Sequence, residues 1–180
     1  KERSRQKFNT VQWVTTQWRA SPGGDANKQL AYTGTDKIVI NPAFFQRLDE
    51  KVDAMNKAGL VSVPVLLWAV NAGGNPKVNP GVSLPEDQAI LLARYMVARW
   101  SGNASAWILA GDGNYRGESA EKWKRIGRAV FGDIAQRPPF RTASRFSLDD
   151  LRARLAQHAH VRLERALRYT RPVFQFLRSL

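Results

Sequence analysis

At 180 residues the chain is long enough for one ordinary domain and shorter than a typical complete eight-stranded α/β barrel. Hydrophobic residues at 43% and aromatics at 10% supply a packed core and exclude wholesale disorder, and the absence of cysteine excludes a disulfide framework and a thiolate metal site. The net charge of +13 raises the question of nucleic acid, and it is unevenly spread: residues 1–135 hold 18 basic and 12 acidic side chains, residues 136–180 hold 10 and 3.

The first seven residues, KERSRQK, are basic and helix-like, with no N-cap and no initiator Met, and read as cut from something longer. FNTVQWVTTQW (8–18) is β-branched and aromatic with few breakers, a buried-strand pattern. A long Gly-rich polar loop follows. Asn41-Pro42 then opens a helix over 42–58, because Asn41 can cap and Pro42 suits the first helical position. Phe44, Phe45, Leu48, Val52 and Met55 recur at helical spacing, and Gly59 supplies the stop.

VSVPVLLWAV (61–70) is a continuous apolar run, as a strand covered on both faces requires. Regular pairing is expected to start just beyond Pro64, since proline lacks a ladder donor. At this length the run is far short of the ~18 residues of a membrane span, so no membrane partner is expected. The loop NAGGNPKVNPG leads to Ser83, which with Glu86 forms a capping box for a helix from Leu84 to Trp100. ASAWILA (104–110) is a third strand, GDGNYRGES a third loop, and a third helix runs from about Ala120 to Phe131.

The order of strand, long loop, helix, short loop thus repeats three times. Long strand-to-helix links mark parallel α/β folds whose sites lie at the carboxyl ends of the strands. In the third loop, Asp112 stands between Gly111 and Gly113 at the end of an apolar strand. One reading is a general acid with its carboxylate accessible to a ligand and apolar walls nearby. The other is a turn cap, and from spacing alone the cap leads. Trp13, Trp18 and Trp68 lie at or near strand ends, where an indole can stack on a sugar or a base or serve as core. Gln17, Asn71 and Asn114 are polar neighbours suited to a hydroxyl-rich ligand, and solvation explains them equally well.

Other chemistries find little support. The glycines of the third loop do not form GxGxxG, no phosphate-cradling GxxxxGK[ST] occurs, and no Gly-x-Ser-x-Gly elbow is present. The two histidines, His158 and His160, are two residues apart and would not share a helix face. Neither a metal nor a cofactor is expected, and compartment and oligomeric state are left open.

KFNTVQWVTTQW, NPAFFQRLDEKVDAMNKAGLVSVPVLLWA and LARYMVARWSGNASAWILAGDGNYRGESAEKWKRIGRAVFGD together resemble the apiosidase-like catalytic domain of bacterial barrel glycoside hydrolases. In order they are similar to that family's second strand, its second helix with the third strand, and its third helix with the fourth strand and its helix. The resemblance spans residues 1 to about 133. It implies an α/β fold that is a partial (β/α)8 TIM-type barrel of three parallel strand–helix units. It also implies an enzyme that cleaves O-glycosyl bonds in plant or bacterial polysaccharide side chains with two carboxylates, and carbohydrate rather than nucleic acid as partner. Asp112 in WILAGD then matches the fourth-strand carboxylate and becomes the acid/base candidate. Trp13, Trp18, Trp68, Asn71, Asn114 and Tyr115 become candidates for substrate binding.

The chain departs from the family pattern after Gly132. No fifth strand is recognisable, and Asp133, Asp149, Asp150 and Glu164 are not in a strand-end context. The nucleophile is therefore missing, and the chain as given is expected to be inactive. Every lysine and tryptophan precedes residue 136, whereas all basic residues beyond it are Arg. This break divides a catalytic part, 1–133, from an Arg-rich tail, 134–180, in which Leu148, Leu151, Leu155, Leu163, Ala166 and Leu167 suggest a helix up to Tyr169. The tail reads as out-of-frame or truncated coding sequence. As a genuine module it would instead make the chain a non-catalytic nucleic-acid binder.

Overall fold

The computed structural model describes residues 2–136. The tail helix, the two histidines and most of the expected 134–180 domain lie outside the described residues. In chain order the elements are α1 (Glu2–Arg5), β1 (Thr10–Val14), β2 (Tyr32–Thr33), β3 (Val39–Ile40), α2 (Pro42–Lys57), β4 (Val61–Trp68), α3 (Pro80–Ser83), α4 (Glu86–Trp100), β5 (Ile108–Gly111) and α5 (Glu118–Gln136). The three strands read from the sequence pair in parallel in the order β1-β4-β5. The fold is mixed α/β, with helices alternating with the strands of a parallel three-stranded sheet.

Local chemistry explains most of the boundaries. At the start of α2 the Asn41 Oδ1 accepts from the Phe44 N–H at 3.4 Å, with Pro42 at the first helical position. The helix buries Phe44, Phe45, Leu48 and Val52, and Gly59, at φ +75°, turns the chain toward β4. β4 is the central strand and all its residues from Pro64 to Trp68 are buried.

Pairing does not wait until after Pro64, as the sequence suggested; β4 begins at Val61, with Pro64 opposite Trp13. The reason lies in the alternation of a parallel ladder. Val61 donates to Asn9 on the β1 side and Ser62 to Ala104 on the β5 side. The missing donor of Pro64 therefore faces β5, and the β5 ladder is interrupted there, between the Ser62–Ser105 bridge and the Val65–Ile108 pair.

The second predicted helix is also corrected. A short helix, α3, ends at Ser83, Leu84 is extended (φ −85°, ψ 139°), and α4 begins only at Glu86. Pro85 forbids a helical Leu84, so the expected capping box does not form, and the Ser83 hydroxyl donates instead to the Asn79 carbonyl at 3.1 Å. Within the first long loop, β2 and β3 form an antiparallel hairpin that the sequence reading treated as loop.

Strand parity decides which residues meet the helices. Trp13 packs on Trp100 of α4 with ring centroids 5.4 Å apart, and Trp100 lies 6.1 Å from Phe45 of α2. Val11, Trp13, Ser62, Pro64 and Leu66 thus share the helix-facing side by alternation, and Gln12, Val14, Val63, Val65 and Leu67 the other. Asp49 closes this layer at its rim. It accepts from Arg99 through two bonds of 2.9 and 2.6 Å and from the Trp100 indole at 2.8 Å. Among the described residues no helix is long and apolar enough to cross a membrane.

Candidate functional site

A parallel sheet brings its strand exits to one edge, so the segments after Val14, Trp68 and Gly111 gather there. Buried polar side chains hold these segments. The Thr15 hydroxyl, 1% exposed, donates to the Val65 carbonyl at 2.8 Å and ties the β1 exit to β4. The Gln17 amide accepts from Ala31 N–H and donates to the Tyr32 carbonyl, both at 3.0 Å, which anchors the β2–β3 hairpin. Asn79, fully buried, accepts from the Arg19 N–H at 2.9 Å and donates to the Val70 carbonyl at 2.7 Å. One amide thus joins the loop after β1 to the loop after β4. The sequence reading offered Gln17 as a ligand contact and passed over Asn79; the only signal for Asn79 was its place in the Asn-Pro-Gly that opens α3.

The hairpin is fastened to the next unit as well. Gln88, in the first turn of α4, accepts from the Ile38 N–H at 2.9 Å. Burial pushes the Tyr32 phenol up to about 12, with a hydrogen bond to Ser83 acting the other way. α3 sits so close to the β4 exit that a Cβ on Gly81 would meet Ala69 Cβ at 2.7 Å and the Trp68 carbonyl at 2.9 Å. These loops form a braced platform.

On this platform Trp18 and Trp68 meet edge to face, with centroids 4.7 Å apart. Trp68 is 9% exposed, and its Nε1 has no hydrogen-bond partner among the described residues. Its ring lies over Gly111, where an added Cβ would come within 2.2 Å of the indole Cε3. Asp112 follows directly and is exposed, with no hydrogen-bonded partner among the described residues. A Cβ on Gly113 would lie 3.1 Å from Ala69 Cβ and 3.1 Å from the Tyr115 hydroxyl, so the Asp112 loop lies against the beginning of the loop after β4. Asn71, in that loop, and Asn114 are exposed, and Asn114 Oδ1 accepts from the Arg116 N–H at 3.1 Å. The Tyr115 hydroxyl donates to the Gly111 carbonyl at 2.8 Å.

Trp68 therefore lies over Gly111 next to Asp112 with Trp18 packed on it, Tyr115 closes the loop that carries Asp112 and Asn114, and Asn71 is exposed in the loop after β4. Trp13 does not join them. It sits between sheet and helices, and its Nε1 donates to the Ser62 hydroxyl at 2.9 Å. Three other carboxylates are engaged in clamps: Asp25 with Arg47 at 2.6 Å, Glu86 with Arg125 at 2.8 Å, and Glu121 with Lys124 at 2.9 Å. Among the described residues, no group of three or more His, Cys, Asp or Glu could hold a metal ion.

A family model for the apiosidase-like catalytic domain matches residues 1–160. The chain belongs to this family. The match continues past the composition break at Gly132, and the parallel units described above are part of this apiosidase-like domain. Among solved structures, the apiosidase-like chain is similar to a candidate glycoside hydrolase from Bacteroides vulgatus ATCC 8482, at 17% identity and a TM-score of 0.49. The likeness covers 72% of this chain and 28% of that one, so the chain spans little more than a quarter of its neighbour's length. No curated protein matches.

Proposed function

We propose that the chain contributes the second to fourth strand–helix units of a (β/α)8 barrel that hydrolyses O-glycosidic bonds in side chains of plant or bacterial polysaccharides. In this reading residues 1–133 make up the catalytic part and 134–180 an Arg-rich tail. The observation that carries it is Asp112, an exposed carboxylate at a strand exit with no hydrogen-bonded partner among the described residues, beside the Trp18–Trp68 pair. Membership of the apiosidase-like family supports it. Asp112 serves as acid/base, protonating the departing glycosidic oxygen. Trp18 and Trp68 form the apolar side of the cleft, and Asn71 and Asn114 offer amides to sugar hydroxyls.

Glycoside hydrolysis needs a second carboxyl group, about 5–5.5 Å away for retention or about 6.5–9.5 Å for inversion. Asp25, Glu86 and Glu121 are held by cations and are poor candidates. The partner carboxylate is expected from a later strand of the barrel than β5, so the purified chain should bind carbohydrate without turning it over. The test is a titration of the chain and of Asp112→Asn with plant and bacterial oligosaccharides, read by Trp fluorescence, alongside turnover of a panel of aryl glycosides. A saturable fluorescence change in both proteins, with turnover in neither, is the expected result. Absence of any carbohydrate response would refute the cleft, and turnover abolished by Asp112→Asn would mean the second carboxylate lies within this chain. A salt-dependent shift of labelled RNA or DNA, with no carbohydrate response, would instead favour the tail as a nucleic-acid binder.

A further inference from the structure

Asp112 lies in a loop of five residues, Gly111 to Tyr115, that closes on itself. The Tyr115 hydroxyl reaches back four residues to the Gly111 carbonyl at 2.8 Å. That carbonyl belongs to the peptide joining Gly111 to Asp112, so whatever fixes its direction also fixes the plane from which the Asp112 side chain departs. Gly113 passes between Tyr115 and Ala69, with no room for a side chain without displacement. The phenol ring is braced in turn by Trp123 of α5, 5% exposed, at a centroid distance of 6.2 Å. Asn114, the other polar side chain of the loop, directs its Oδ1 to the Arg116 N–H rather than back to the Gly111–Asp112 peptide.

We propose that Tyr115 is a positioning residue rather than a substrate contact: its hydroxyl, braced on Trp123, locks the Gly111–Asp112 peptide and so aims the Asp112 carboxylate outward from the end of β5. A carboxylate on a Gly-flanked loop otherwise sweeps a wide range of directions, and a site only an ångström too loose loses most of its catalytic benefit. The lock transfers the rigidity of a buried helix residue to an exposed acid. Partial burial, followed by the neighbouring Asp112 charge, pushes the Tyr115 phenol up to about 12. The inference rests on the reading of Asp112 as the acid/base group, but its test addresses the loop alone.

The experiment compares the full chain with Tyr115→Phe, which keeps the ring on Trp123 and removes only the hydroxyl. Backbone amide relaxation by NMR is read at Asp112 and Gly113, together with the Asp112 carboxyl resonance assigned through Asp112→Asn. The expected result is a fall in order parameter at these two amides from about 0.85 to below about 0.6, a carboxyl shift toward that of an unstructured Asp, and an unchanged Trp123 indole signal. Unchanged order at Asp112 and Gly113 in Tyr115→Phe would overturn the proposal. The same holds if the order is unchanged and only the carbohydrate response weakens, because Tyr115 would then be a contact residue. Should Tyr115→Phe fail to fold, Trp123→Leu replaces it: removing the brace must loosen the same two amides, and an unaltered loop refutes the lock. Loosening in either variant, combined with no carbohydrate response in the unaltered chain, would keep the lock and discard the proposed function.

Discussion

Gly111→Ala adds one methyl group at the point where the site is most tightly built. The new Cβ would lie 2.2 Å from Trp68 Cε3, 2.5 Å from Cζ3 and 2.9 Å from Cδ2, all atoms of one rigid ring. The indole has little freedom to retreat: it is 9% exposed and meets the edge of Trp18 at 4.7 Å. Overpacking of this kind costs about 1–3 kcal/mol. Against it stands a gain of about 0.4–1 kcal/mol, because alanine restricts the unfolded chain and φ at this position is not left-handed. Gly102→Ala supplies the control, since that Cβ would meet nothing within 4 Å and its φ is also unexceptional, so only the gain should appear. Urea unfolding of both variants, at unchanged m, should separate their stabilities by about 1–3 kcal/mol, since the unfolded-state gain is common to both. Adding Trp68→Leu to Gly111→Ala should recover part of the loss as a coupling energy. Equal stability of the two glycine variants would refute the placement of the indole over Gly111, and with it the close approach of Trp68 to the Asp112 loop.

Asn79→Ala should destabilise the chain by about 1–3 kcal/mol, because the Arg19 N–H and the Val70 carbonyl, both part-buried, lose their partner. Amide exchange should rise first at Arg19, and global destabilisation without local opening there would contradict the clamp. Acid sensitivity should trace in part to Glu86, whose hydrogen bond from Arg125 holds its carboxyl below the ordinary 4.5. A depressed carboxylate contributes stability that is complete above 4.5 and is lost as pH falls through the lower folded value. Urea midpoints measured downward from pH 5 should fall less steeply in Glu86→Gln, and an unchanged slope would show that the Glu86–Arg125 pair is not formed in solution.

Several parts of this protein were set by the sequence alone. The run Val61–Val70 is apolar without alternation, and such a segment has low free energy only between two covered faces, so it became the central strand. Asn41-Pro42 and Gly59 bound α2 through interactions that span four residues or fewer, which makes them readable without any fold. Pro85 was equally local, and its power to break a helix outweighed the Ser83–Glu86 spacing on which the expected cap rested. Asp112 was singled out by its place between two glycines at the end of an apolar strand.

Tertiary structure decided what the indoles and amides do. Trp13 and Trp68 look alike in the sequence, yet contacts with Ser62 and Trp100 hold one, half-buried, between sheet and helices, while contact with Gly111 and Trp18 puts the other, buried, beside the candidate acid. Gln17 and Asn79 carry the same amide chemistry as Asn71, but their partners lie 14 and 15 residues away for Gln17 and 9 and 60 for Asn79. Hydrogen-bonding capacity is written in the residue type; the partner is not. Which group satisfies a side chain depends on strand parity and on which loops the parallel pairing brings to one edge, and both are properties of the assembled sheet.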